Sequence, residues 1–118
     1  MQELWFDLYQ RIGWYPKADV YRCADGWLVK LELAGVTPQD IRISLEQDHL
    51  VVEGRRRDWC VAETQTCLSM EISYDWFRRA IPLPGQTDSA NLRTEFRQGM
   101  LLIHLHDRSK QSHVQERI

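Results

Sequence analysis

The sequence holds no run of apolar residues near the roughly 20 needed to cross a bilayer. Its start, MQELWFDLYQ, lacks a basic n-region and carries Glu3 and Asp7, which speaks against a secretory leader. Cysteine is scarce: Cys23, Cys60 and Cys67 make an odd count with no C-x-x-C pair. That argues against a disulfide framework or a zinc site, and for a reducing cytoplasm. Charge of one sign is missing too, with 15 basic against 17 acidic residues and a formal net charge of −2. A domain held mainly by phosphate contacts is therefore not expected. The three arginines at 55–57 are diluted by Glu53, Asp58 and Glu63. There is no G-x-x-x-x-G-K-S/T loop to cradle a nucleotide and no G-x-S-x-G elbow to present a nucleophile. His104 and His106 share one strand face, but two imidazoles at a strand end are more often solvated than metal-bound. No catalytic role, cofactor or metal is expected.

At 118 residues the chain makes one domain, with 43% apolar and 27% charged residues, enough for a modest core. Its organising stretch is IRISLEQDHLVVEGRRR at 41–57. Ile41, Ile43 and Leu45 alternate with polar residues, 47–49 breaks the pattern, and Leu50-Val51-Val52 restarts it. Two strands around a polar turn follow from that period, and a hairpin alone is marginal, so the rest of the chain must cover it.

Ahead of it, Leu4, Leu8 and Ile12 recur at helical spacing beside Trp5 and Tyr9, predicting a short amphipathic helix ended by Gly13 and Pro16. Strands follow at 19–23 and 27–33 around the hairpin dipeptide Asp25-Gly26. Residues 58–69 show little pattern, with Trp59 and Val61 suggesting one short strand. Alternation of Met70, Ile72, Tyr74 and Trp76 predicts a strand over 70–81, ended by Pro82 and Pro84. Strands at 92–96 and 100–105 flank Gln98-Gly99. Seven or eight short strands without long helices predict an all-β fold, an antiparallel immunoglobulin-like β-sandwich.

Several of these pieces, in order over about 15–106, resemble the α-crystallin domain of the small heat shock proteins. They are PKADVY at 16–21, LELAGVTPQDI at 31–41, LVVEGRR at 50–56, YDWFRRAIPLP at 74–84 and GMLLI at 99–103. Asp75 stands where the family prefers glycine, and Thr94 where it has alanine. The tail HVQERI lacks the spaced aliphatic pair by which members dock on neighbours. With the short arm, that makes a dimer or small assembly the expectation, not a large cage.

The resemblance implies an apolar arm at 1–14, an α-crystallin domain at 15–106 and a polar tail at 107–118. It implies a long loop whose strand, placed at Trp59 and Val61, pairs with the partner's edge near Val20 and Tyr21, with Arg79 near that contact. It implies a groove lined by Ile43, Leu45, Leu92 and Thr94, although alternate strand residues must also fill the sandwich interior. The implied function is ATP-independent holding of unfolding client proteins. The arm residues Leu4, Trp5, Phe6, Leu8, Tyr9, Ile12 and Trp14 would offer the apolar surface such a binder needs. The alternative is a p23-like co-chaperone, or an assembly partner of related chains. No nucleic-acid or membrane partner is implied.

Overall fold

The computed structural model describes residues 13–59, 62–83 and 91–106. Within them the order is β1 (Ala18–Cys23), β2 (Gly26–Glu32), a 3-10 turn (Pro38–Asp40), β3 (Ile41–Glu46), β4 (His49–Arg55), β5 (Trp76–Pro82), β6 (Asn91–Arg97) and β7 (Met100–His106). The strands form two antiparallel sheets, β1-β2-β7-β6 and β3-β4-β5. This is the all-β sandwich that the alternating sequence pattern predicts. The amphipathic helix expected before Gly13 lies outside the described residues.

Register explains which side chains meet. Val29 pairs with Ile103, and Leu31 with Leu101, on the inner face of the larger sheet. Leu50 pairs with Ile81, and Gly54 with Phe77, in the smaller one. The apolar side chains among these residues, with Leu33, Val52 and Leu105, form one buried cluster between the sheets. Burying a side chain of this size contributes about 1.5–3 kcal/mol, so this cluster is the main source of stability.

Two positions need glycine for different reasons. Gln98 and Gly99 both have positive φ, 55° and 78°, which gives the β6–β7 hairpin the two-residue turn that matches strand twist. Gly54 sits where a Cβ would collide with the Asp40 carbonyl oxygen and lie 3.0 Å from the Phe77 ring.

The sandwich departs from the sequence pattern in one stretch. The strand expected over 70–81 begins only at Trp76. Met70 and Ile72 alternate correctly, yet no strand among the described residues pairs with them, and both stay exposed. Asp75 starts the true strand: its Oδ1 accepts from Trp76 N at 2.8 Å, and its carbonyl accepts from Arg56 N at 3.1 Å. Trp59, expected on a short strand that pairs with a partner, lies in a turn of the single chain. Val61 lies outside the described residues.

Candidate interaction site

The relation between the sheets follows from Arg79. On β5 the inward residues are Phe77, Arg79 and Ile81, and Arg79 reaches past the core edge to donate to the Pro16 carbonyl at 2.6 Å. Its guanidinium also lies 4.2 Å from the Tyr15 ring centroid. The β5 edge therefore sits over the chain just before β1. On the opposite flank, β3 and β6 are the two remaining edge strands.

That flank carries the expected groove residues. Ile43 and Leu45 on β3 are half-buried and touch the core. Leu92 and Thr94 on β6 pair with the core residues Leu105 and Ile103, so they share the inward face, but both are exposed. Four side chains from two edge strands thus lie on one side of the sandwich. Phe96, also inward, closes the β6 row against the core.

The other flank carries the edge strand β1. Val20 pairs with the buried Val29 and faces inward, whereas Tyr21 pairs with Leu28 on the outer face. Both are exposed, since β1 has a neighbour on one side only. Lys30 lies 4.9 Å from the Tyr21 ring and braces it from β2. An edge of this kind presents unpaired backbone groups to any extended segment.

The connection between β4 and β5 supplies such a segment. Residues 65–71 have no hydrogen-bonded partner strand among the described residues, and Leu68, Met70 and Ile72 are 94%, 64% and 57% exposed. Together with Tyr74 they border a cavity of about 680 Å³. Trp59 is also exposed, in the turn that precedes this segment. The apolar alternation of the loop is therefore at 68–72 rather than at Trp59.

The base of this loop is fastened by arginines. Arg56 donates from Nε to the Ser73 carbonyl at 2.9 Å and from Nη1 to the Ala34 carbonyl at 3.1 Å. Its guanidinium also stacks 3.7 Å from the Trp14 ring centroid. Burial pushes its pKa down from the ordinary value, against the pull of Tyr74, and it remains a cation. Arg57 grips Asp40 with two bonds, at 2.9 and 3.3 Å, and that grip holds the Asp40 carboxyl below its ordinary range. Sequence reading treated these arginines as one diluted patch. They have three different partners: Arg55 lies over the Trp76 ring, Arg56 bonds two main-chain carbonyls that no side-chain pattern reveals, and Arg57 bonds the Asp40 carboxylate.

Trp14, expected in the arm, is half-buried. Its ring meets Phe77 edge-on with centroids 5.3 Å apart, beneath Arg56. Leu4, Trp5, Phe6, Leu8, Tyr9 and Ile12 lie outside the described residues. His104 and His106 are half-buried on the outer face of β7. His106 Nδ1 sits 3.2 Å from Asp25 Oδ2. Burial and Arg93 push the His104 imidazole below its ordinary value, Glu95 opposes them, and His106 adds to the depression. Among the described residues no group of three metal-ligating side chains converges.

A family model described as Hsp20/alpha crystallin family matches residues 19–118. The chain belongs to that family. Spore protein SP21 of Stigmatella aurantiaca is 30% identical over 90 residues, covering 76% of this chain and 53% of that protein. The chain thus spans about half the length of this relative, as it does of small heat shock protein C2 of Rickettsia felis. Among solved structures, hspA from Xanthomonas axonopodis aligns with a TM-score of 0.66 and 26% identity, over 80% of this chain and 95% of that one. Heat shock protein 16.0 from Schizosaccharomyces pombe has the same fold, with a TM-score of 0.73 at 22% identity over 89% and 96% of the two chains. For an Hsp20 domain, then, the two flanks of edge strands and the β4–β5 loop are the surfaces on which function is to be sought. No helix among the described residues is long and apolar enough to cross a membrane.

Proposed function

We propose that this Hsp20 protein is an ATP-independent chaperone of the cytoplasm, a holdase that binds unfolding proteins and limits their aggregation. The observation that carries this reading is the open flank of the sandwich, where half-buried Ile43 and Leu45 on β3 lie on the same side as exposed Leu92 on β6, a surface that strand exchange at β1 leaves free. A binder of unfolded chains works by mass action and needs no fuel, only apolar surface and free backbone edges. The arm residues Leu4, Trp5, Phe6, Leu8, Tyr9 and Ile12 add to that surface, and Ile43, Leu45, Leu92 and Thr94 form a groove for an apolar client segment. The protein acts by binding and catalyses no reaction.

In this reading the protein is a homodimer. The segment 68–72, rather than Trp59 and Val61, adds to the partner's β1 edge beside Val20 and Tyr21. Strand addition of this kind removes an aggregation-prone edge and three exposed apolar side chains together. Arg79 braces the same flank through Pro16 and Tyr15.

The test is light scattering of a heat-aggregating client with the full-length chain present and no nucleotide. Suppression at near-equimolar dimer supports the holdase reading. Unchanged scattering up to a tenfold excess would sink it and favour an assembly partner without holding activity of its own.

A further inference from the structure

We propose that two intersubunit disulfides, Cys23 to the partner's Cys67 and the reverse, can lock the dimer. The proposal rests on the strand-exchange reading above and fixes its register. Both thiols are free and exposed. Their positions follow from faces and ends. On β1, Ala18 and Val20 pair with Leu31 and Val29 and face the core, so Asp19, Tyr21 and Cys23 face outward. Once the loop segment is extended as a strand against an edge, Leu68, Met70 and Ile72 fall on one face, and Cys67, Ser69 and Glu71 on the other. If the apolar face of the incoming segment extends the core, Cys67 must lie on the outer face, the one that Cys23 occupies.

Direction then sets the pairing. Every strand pair among the described residues is antiparallel. An antiparallel addition that uses the whole of β1 sets residues 67–72 against 23–18. Ile72 then opposes Ala18, Met70 opposes Val20, and Leu68 covers the Arg22 stem, so the apolar pairs fall on the inner face. The same register places Cys67 directly opposite Cys23. Directly opposed residues in antiparallel strands have Cα atoms about 4.5–5.5 Å apart, inside the roughly 4.4–6.8 Å that a disulfide spans. On its other side Cys23 pairs with Gly26, which has no side chain to crowd the sulfur.

The oxidant is a peroxide. One cysteine thiolate attacks a peroxide oxygen, forming a sulfenic acid and releasing water (or the corresponding alcohol). The opposing thiol then attacks the sulfenic sulfur, the S–S bond forms, and a second water leaves. Two thiols lose two electrons, and the peroxide gains them.

The experiment treats full-length protein with hydrogen peroxide and follows it by non-reducing electrophoresis and peptide mass spectrometry. Solution mass in the presence of reductant is measured alongside. A covalent dimer is expected, with a Cys23–Cys67 peptide from two chains, lost in Cys23→Ser and in Cys67→Ser and kept in Cys60→Ser. Isotope-mixed protein distinguishes an interchain link from an intrachain one. A reduced dimer that gives no Cys23–Cys67 peptide overturns this register while leaving strand exchange standing. A link within one chain, or one lost only in Cys60→Ser, also overturns it. A monomer under reductant overturns the exchange reading itself.

Discussion

Arg56 joins three segments that are distant in sequence: the β2–β3 connection through Ala34, the loop end through Ser73, and the approach to β1 through Trp14. Hydrogen bonds from a charged donor each contribute about 1.5–3 kcal/mol when shielded, and less where water competes. The two carbonyls here are near the surface, so Arg56→Ala is expected to cost roughly 1–2 kcal/mol in total, stacking included. Arg56→Lys should recover less than half of that. A single ammonium can serve one carbonyl but cannot fork between two while lying flat on an indole. Urea denaturation checks this, with a lower midpoint and an unchanged slope as the expected signature. Full recovery by lysine would show that charge alone matters at this position.

At the scale of elements, the β4–β5 connection is an appendage of the sandwich. Its middle pairs with no strand among the described residues, and its ends are held by Arg56 and by the Asp75 turn. Replacing residues 60–71 with a short Gly-Ser linker should therefore leave the fold intact, because a change in loop length costs only tenths of a kcal/mol to about one. The expected outcome is a cooperative monomer, seen by solution mass, with its melting temperature within a few degrees of a dimer-free reference. A replaced chain that stays dimeric would place the interface elsewhere. The sequence makes six of the seven strands legible, since alternation of Val29 with Leu31, or of Ile41 with Ile43, reports a half-buried face directly. It misleads at Met70 and Ile72 because alternation reports two faces and not whether a neighbouring strand exists. The edge residues Val20 and Leu92 were legible as strand positions, but the flank they share with other edges depends on how the sheets stack. That stacking is visible only through contacts such as Arg79 with Pro16.

For the whole molecule, the arm and the domain must be separated at the right residue. The sequence suggests a boundary after Trp14, yet that indole is half-buried against Phe77 and under Arg56, so it belongs energetically to the sandwich. An edge-to-face aromatic pair contributes about 0.5–1.5 kcal/mol beyond its buried area. A version starting at Tyr15 would therefore lose stability together with the arm, and reduced holding would have two causes. Two truncations resolve this. A chain beginning at Gly13 should melt within about 2 °C of full length, whereas one beginning at Tyr15 should melt several degrees lower, as expected for a loss near 1–2 kcal/mol in a domain of this size. Client scattering is then compared at a temperature where both remain folded and at matched dimer concentration. If the Gly13 version loses suppression while keeping its stability, the apolar residues before it hold the client. If it suppresses as well as full length, the holding surface is on the sandwich, and Ile43, Leu45, Leu92 and Thr94 become the residues to change next.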